Sequence, residues 1–334
     1  MAWRNRMSEA IVASIIIPAK NESKNIGVCL ESILGQDVSE PFEVIVIDSG
    51  STDGTTGVVK AFDVRLHEIR SDEFGHGRTR NLGARMAAGR YLVFLNADAT
   101  PAAGTWLRQL LAELEADDVA AVYGRQIPRL SAYPMERFFL EYLYGKQRLV
   151  KTKTNEPLDS QGVFFSTVNC AIKRSMWERY SFSETIVMTE DQAWSRQILQ
   201  AGYNIVYSPE AAVWHSHNYG LIHAFRRFFD SGWSSEDSYL PQGIGPTLAF
   251  SMRCLGYLVR EITFLLRNGH WRWIPYAGLY EGLKLAGLLL GRSHRLLPQG
   301  LKSRLSANYR GTIPSISGAE ASDSEVGATR EGTT

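Results

Sequence analysis

Two rhythms of hydrophobic residues run through the first hundred positions. Residues 11–17, 43–48, 64–69 and 91–95 are short apolar runs, most of them β-branched and nearly unbroken. Such runs suit strands buried on both faces. Residues 21–34, 51–62 and 77–88 lie between them and read as helices, with Gly35 and Gly89 as C-terminal stops. The strand–helix alternation predicts an α/β protein with a mostly parallel, doubly wound sheet.

Beyond residue 100 the pattern is less regular. Residues 105–115 form an amphipathic helix, and residues 120–123, 163–172 and 203–207 return to strand character, the last closed by Ser208-Pro209. Residues 131–150 mix aromatics and charges without a clean period, and the polar residues 151–161 read as a mobile loop. Thr189 and Gln192 have the spacing of a capping box, opening a helix that Gly202 ends. From residue 243 apolar stretches are broken by Arg253, Arg260 and Arg267, spaced seven apart on one helical face. Residues 312–334 are rich in Ser, Gly, Glu and Thr, a composition expected to stay disordered. The division that follows is a catalytic unit over residues 1–240, a basic, apolar helical extension over 241–311, and a tail over 312–334.

Composition narrows the function. The chain has 334 residues, 44% of them hydrophobic, enough for a large core. Its net charge of +1 argues against a nucleic-acid partner. The basic residues are uneven: residues 241–310 hold ten Lys/Arg against two acids, Glu261 and Glu281. Three scattered cysteines, Cys29, Cys170 and Cys254, offer neither a disulfide framework nor a structural zinc site, and fit a reducing compartment. The apolar run after Arg4 and Arg6 is short and leads straight into Pro18-Ala19-Lys20-Asn21-Glu22, so it is expected to be a first strand rather than a signal peptide. No stretch of about 20 uncharged apolar residues is present to span a bilayer.

The candidate chemistry sits just past the apolar runs, where open α/β sheets bind ligands. Asp48-Ser49-Gly50-Ser51-Thr52-Asp53-Gly54-Thr55 is a strand end, a turn and a helix start. Asp48 there can accept from a base imide or a ribose; the segment also reads as a plain βα turn, capped by Ser51 or Asp53. Neither a dinucleotide fingerprint nor a Walker A sequence is present. Asn96-Ala97-Asp98 offers two oxygen ligands for Mg²⁺ or Mn²⁺ against a diphosphate, or a simple turn. Glu190-Asp191 opens a helix, where acids suit the dipole and where one carboxylate can be a general base. His215 and His217, two apart after residues 211–214, would point to opposite strand faces unless the strand has already ended. Arg78 and Arg80 lie near a helix start, where arginine matches phosphate or base acceptors or forms a solvated turn.

In this order, Pro18–Glu22, Val46–Thr55, Asn96–Asp98 and Glu190-Asp191 resemble nucleotide-sugar-dependent glycosyltransferases of family 2, with the A-type glycosyltransferase fold. The resemblance covers residues 11–233. Phe74–Ala84, Val122–Gln126 and Val213–Asn218 are similar to a rhamnosyltransferase-like branch. The resemblance implies that Asp48 and Arg80 contact the nucleobase and that Pro18, Ala19 and Glu22 line the nucleoside pocket, with Arg78, Asn96 and Ala97 in the same nucleotide site. It implies that Asp98 binds a divalent cation on the donor diphosphate, that His215 or His217 adds a ligand, and that Asp191, beside Glu190, is the catalytic base. One departure is Asn96, where the metal motif usually begins with Asp. The implied reaction is inverting transfer of a sugar from a dTDP- or UDP-sugar to a glycan or lipid-linked saccharide.

Trp271, Trp273, Tyr276 and residues 288–290, set among the basic residues, predict interfacial helices docking on the cytoplasmic leaflet; a helical layer covering the sheet or an oligomer contact is the alternative. Two other functions compete. A nucleotidyltransferase would carry a Gly-rich, basic loop where Pro18–Glu22 stands, and an inactive membrane-docked scaffold would explain Asn96 but not Asp98 and Asp191.

Overall fold

The computed structural model describes residues 10–153, 161–241 and 243–309. The expected disordered tail and most of the expected loop at 151–161 lie outside the described residues. In chain order the first elements are β1 (Ala13–Ala19), α1 (Ile26–Leu34), β2 (Phe42–Asp48), α2 (Thr55–Val59), β3 (Arg65–Glu68), α3 (His76–Met86) and β4 (Tyr91–Leu95). There follow β5 (Thr100–Pro101), α4 (Trp106–Glu113), β6 (Val119–Ile127), α5 (Pro134–Leu143), β7 (Leu149–Lys151) and β8 (Asn169–Lys173). The last are α6 (Arg174–Arg179), α7 (Glu190–Gln200), β9 (Asn204–Trp214), α8 (Leu221–Ser238), α9 (Ile244–Arg267), α10 (Ile274–Arg292) and α11 (Gln299–Leu305).

Among the described residues one sheet of nine strands runs β3-β2-β1-β4-β8-β6-β9-β5, with β7 paired to β9. Strands β1 to β4 are mutually parallel, and β6 is parallel to β9. Between these two parallel groups β8 runs antiparallel to both neighbours, β4 and β6. The period-two rule sorts the core. Ile15, Ile17, Val93 and Leu95 face one side with Leu30 of α1 and Trp106 of α4, whereas Ile16, Leu92 and Phe94 face the other with Ala84 of α3 and Trp194 of α7. Both faces are covered, as the continuous apolar runs require. Gly83 lets α3 lie on the sheet: a Cβ there would fall 2.4 Å from Ile16 Cγ2.

The strand directions place the site. Because β8 is reversed, its amino end lies beside the carboxyl ends of β1, β4, β6 and β9. Ala19, Asn96–Asp98, Gln126, Thr167 and His215 therefore meet at one edge of the sheet.

Three expectations are corrected. The strand expected over residues 163–172 is confined to β8, Asn169–Lys173. Strand β9 does not close at Ser208-Pro209 but runs on to Trp214. Its pairing with β6 jumps from Gly124↔Ser208 to Gln126↔Val213, so Pro209 falls in a bulge, where the ladder needs no N–H from it. Thr189 does not cap α7 with its side chain; it takes a left-handed backbone, φ 67°, and its hydroxyl meets Met188 O and Ser238 Oγ.

The helical extension is fastened to the rest. Helix α10 lies against α8 with little between the backbones: a Cβ on Gly232 would stand 2.1 Å from Leu288 O, and one on Gly291 2.0 Å from Phe229 O. Buried Asp230 of α8 holds the chain beyond α11 by accepting from Ser306 Oγ and the backbone N–H groups of Ala307 and Asn308. No helix of the described residues is long and apolar enough to cross a membrane.

Candidate active site

A cleft of about 510 Å³ opens at the carboxyl ends of the strands. It is lined by Pro18, Ala19, Glu22, Arg80, Asn96, Ala97, Asp98, Glu190, Asp191, His215 and His217 among others, so most of the residues singled out in the sequence converge on it. Asp48 and Arg78 are not part of its wall. Arg78 instead stands 3.8 Å from Glu184, in an ion pair.

The first wall is the pair of loops after β1 and β2, each pinning the other. Asn21 takes φ 55°, a left-handed backbone that Asn tolerates; its N–H donates to Ser51 Oγ and its Oδ1 accepts from Thr52 N–H. Asp53 Oδ1 accepts from Thr55 N–H, an Asx turn, and its Oδ2 accepts from Ser23 N–H. Asp48 is buried; its Oδ1 accepts from Gly50 and Ser51 N–H, while Oδ2 has no partner among the described residues. Glu22 accepts from Asn25 Nδ2, and burial raises its carboxyl above the usual range.

The second wall centres on Asp98. Its Oδ1 lies 3.5 Å from His215 Nε2 and its Oδ2 3.4 Å from His217 Nε2. Strand β9 ends at Trp214, so the period-two rule no longer separates the histidines, and both rings turn to the same carboxylate. The ligand atoms of the three side chains all lie within 4.8 Å of one another. Burial alone would raise Asp98; His215, His217 and Arg129 outweigh it and hold the carboxyl below the usual range. Burial and the neighbouring His215 lower His217 to about 4, so this ring is neutral near pH 7.

Gln126, to which the sequence reading gave no role in the site, orients His215. Its Nε2 donates to Tyr144 Oη at 2.5 Å and Ser166 Oγ at 3.1 Å, which leaves Oε1 to face His215 Nδ1 at 2.7 Å. That network assigns the proton of His215 to Nδ1. Nε2 is then directed at Asp98, and this buried atom has no hydrogen-bond partner among the described residues. An imidazole whose other ring nitrogen is held by a second side chain is the usual preparation for a metal ligand. The donor set, one carboxylate and two imidazoles, fits a divalent cation.

The third wall is the start of α7. Arg80 of α3 donates to Glu190 Oε1 at 2.9 Å, to Asn96 Oδ1 at 3.3 Å and to His76 O. Its side chain and that of Glu190 are about 95% buried. Arg80, the arginine expected at a nucleobase, lines the cleft and ties α3, the β4 end and α7 together. Asn96 fits the same ion pair: with Glu190 already balancing Arg80, an amide oxygen adds a partner for the guanidinium without a second buried negative charge, while Arg80 Nε keeps no partner among the described residues.

Asp191 forms no salt bridge among the described residues. Its Oδ2 accepts from Thr167 N–H at 3.2 Å and its Oδ1 from Gln192 N–H at 2.9 Å. Desolvation, then the charge of Glu190, push its carboxyl well above the ordinary aspartate range against the pull of Arg80. The left-handed Thr189 aims this turn, and α8 supports it, with Met188 N–H donating to Ser234 Oγ and Thr189 Oγ1 meeting Ser238 Oγ. A basic, half-buried carboxylate on the same cleft as a candidate cation site suits general-base chemistry on a ligand bearing a diphosphate.

Known proteins agree with this architecture. The family model described as glycosyl transferase family 2 matches residues 14–180. The O-antigen chain rhamnosyltransferase WbaN of Salmonella anatum is 34% identical over 79% of this chain and 84% of its own length. The O-antigen chain rhamnosyltransferase RfbN of Salmonella typhimurium is 33% identical over 85% of this chain and 91% of its own. Among solved structures, the mannosyltransferase PcManGT from Pyrobaculum calidifontis, in complex with GDP-Man and Mn²⁺, superposes with a TM-score of 0.56 at 19% identity, covering 88% of this chain and 93% of that one. That likeness identifies the sheet with its flanking helices as the A-type glycosyltransferase fold. The chain belongs to glycosyl transferase family 2, in its rhamnosyltransferase-like branch, and is a nucleotide-sugar-dependent glycosyltransferase.

Proposed function

We propose that the protein transfers a sugar, rhamnose by analogy with WbaN and RfbN, from a dTDP- or UDP-sugar to a hydroxyl of a glycan or lipid-linked saccharide of O-antigen type, with inversion. The observation that carries this reading is the convergence of Asp191, Glu22 and the Asp98–His215–His217 cluster on one cleft. Asp191 takes the proton of the acceptor hydroxyl as it attacks the anomeric carbon. Asp48, with its unused oxygen, and Pro18, Ala19 and Glu22 form the nucleoside side. Arg80 and Glu190 position Asp191 and Asn96. A divalent cation held by Asp98, His215 and His217 would stabilise charge on the departing nucleoside diphosphate.

A panel of nucleotide sugars, assayed for hydrolysis and transfer with and without Mn²⁺, tests the reading. We expect turnover of one or a few nucleotide sugars, a dTDP- or UDP-sugar foremost. Pyrophosphate release from a nucleoside triphosphate and a sugar phosphate would favour a nucleotidyltransferase, and no turnover of any donor would favour an inactive scaffold.

We further propose that the catalytic unit docks peripherally on the cytoplasmic membrane face through α9. Ile244, Leu248, Met252, Leu255, Val259 and Leu266 form a stripe along this helix, each more than half exposed. Arg253, Arg260 and Arg267 follow Met252, Val259 and Leu266 by one position and are exposed beside the stripe. An apolar stripe edged with arginines suits an anionic interface, and Trp271, also exposed, extends it. Because α10 is fastened to α8, point changes are better probes than truncation. Full-length protein should co-sediment with vesicles containing phosphatidylglycerol, less so in high salt, and L248E/L255E should remain in the supernatant. Equal recovery of both proteins in the supernatant would refute docking; dimerisation lost in the variant would assign the stripe to a second copy.

A further inference from the structure

The cleft does not end at the base and the cation site. It continues between α5, α8, α9 and α10 into a chamber walled by Phe139, Phe228, Tyr257 and Tyr280. Lys284 is caged there, its Nζ 4.7 Å from the Phe228 centroid, 5.3 Å from Phe139, 5.4 Å from Tyr280 and 5.5 Å from Tyr257. Its Nζ also lies 2.6 Å from Glu281 Oε1. None of these residues belongs to the motifs of the family resemblance, and the donor chemistry described above uses none of them.

The chamber has unmet hydrogen-bonding capacity. On the chamber wall, Tyr257 Oη is buried without a partner among the described residues. Leaving such a hydroxyl unsatisfied costs free energy unless a ligand completes it. Glu136 joins the two parts of the cleft: it lines the wall one turn before Phe139, and its Oε1 accepts from His217 N–H at 3.1 Å.

The composition of the chamber discriminates among ligands. A lipid chain needs no buried hydroxyl or carboxylate. A diphosphate would meet the carboxylates of Glu136 and Glu281, and Lys284 is already taken by Glu281. A sugar ring offers both an apolar C–H face for aromatic walls and hydroxyls that donate to carboxylates and exchange bonds with Tyr257.

We propose that this chamber is the acceptor subsite, holding the terminal sugar residue of the acceptor saccharide with its ring face against Tyr257 and Tyr280 and its hydroxyls on Tyr257 and the Glu281–Lys284 pair. The proposal rests on the glycosyl-transfer reading, which supplies the reason for a second sugar. It assigns acceptor selection to the helices of the C-terminal half and donor recognition to the sheet loops. It also explains why α10 must be held so close to α8: the pair forms the chamber's back wall.

The test uses the full-length protein and p-nitrophenyl hexopyranosides of gluco, galacto, manno and rhamno configuration. Their binding is followed by saturation-transfer NMR, and their KM as acceptors is measured beside the donor KM. At least one glycoside should bind the wild type. Tyr257→Phe, which keeps the ring and removes the orphan hydroxyl, should raise the acceptor KM about tenfold, the effect of one lost hydrogen bond, with the donor KM nearly unchanged. Tyr280→Ala should do more; if it fails to fold, the isosteric Tyr257→Phe carries the test. Binding of a glycoside that Tyr257→Phe weakens, without any turnover, would fault the glycosyl-transfer reading and sustain the subsite. No binding of any glycoside to the wild type, or an acceptor KM unmoved by Tyr257→Phe, would overturn it.

Discussion

Asp191→Asn is expected to lower transfer by roughly 10²–10⁴-fold, or about 3–5 kcal/mol of transition-state stabilisation, with donor binding little changed. The carboxylate has no cation of its own among the described residues; Arg80 is taken by Glu190. Desolvation and the charge of Glu190 therefore raise its basicity, while two backbone N–H groups keep it aimed. A base matched to neutral pH gains most from proton transfer. Because the deprotonated form is the active one, wild-type transfer should rise with pH through the raised pKa of Asp191 and then level. The residual activity of the variant should lack that limb. Stability moves the other way. A carboxyl whose folded pKa exceeds its unfolded value contributes stability at low pH that is lost as pH rises through the folded pKa. The asparagine of the variant has no such loss, but its amide cannot accept from both Thr167 and Gln192, a cost of about 1 kcal/mol. The difference in Tm between variant and wild type should thus shift toward the variant as pH increases. Near-wild-type turnover in Asp191→Asn would remove Asp191 from the base role.

The parts legible in the sequence were those set by unbroken local pattern. Strands β1, β2 and β4 are apolar runs buried on both faces, and each ends in a loop whose residues line or pin the cleft. Elements went astray where tertiary context overrides the local signal. Ser208-Pro209 looks like a strand end, yet a bulge against β6 lets the strand carry Pro209 onward. Thr189-x-x-Gln192 has capping-box spacing, but the left-handed turn that aims Asp191 takes the threonine hydroxyl away to α8.

The same limit governs the site. Asp98, His215 and His217 are readable as ligand types, and their meeting depends on β9 ending at Trp214. Gln126 ends the Val122–Gln126 stretch of the resemblance, but its role is not readable there, because it depends on Tyr144 and Ser166, brought to it by other elements. Lys284 reads as one of ten basic residues in a basic segment, and only the packing of α10 against α8 turns it inward. Arginine at position 80 matches a ligand-binding pattern, yet its partner Glu190 lies 110 residues away, a separation that no local window can see.

The cation site supplies the other large effect. Chelation with EDTA should abolish transfer, and Mn²⁺ should restore it at lower concentration than Mg²⁺, because two of the three protein ligands are imidazoles. Asp98→Ala removes the one anionic ligand of that trio, the group that both histidines face. It should be inactive and not rescued by moderate Mn²⁺. Gln126→Leu separates preparation from ligation. It leaves Asp98, His215 and His217 in place and removes the acceptor that holds the His215 proton on Nδ1. With the tautomer released, Mn²⁺ affinity should fall by roughly 10–100-fold. Excess Mn²⁺ should then recover most of the activity, which a collapsed fold would not allow. Mn²⁺ binding, followed by electron paramagnetic resonance without substrate, reads the same order: wild type tighter than Gln126→Leu, and Asp98→Ala weakest. Full transfer in chelator would move neutralisation of the leaving diphosphate to a side chain, with Arg227 on the cleft wall the first to replace. Equal Mn²⁺ affinity in wild type and Gln126→Leu would mean that the His215 tautomer is fixed by the ion itself and not by the chain.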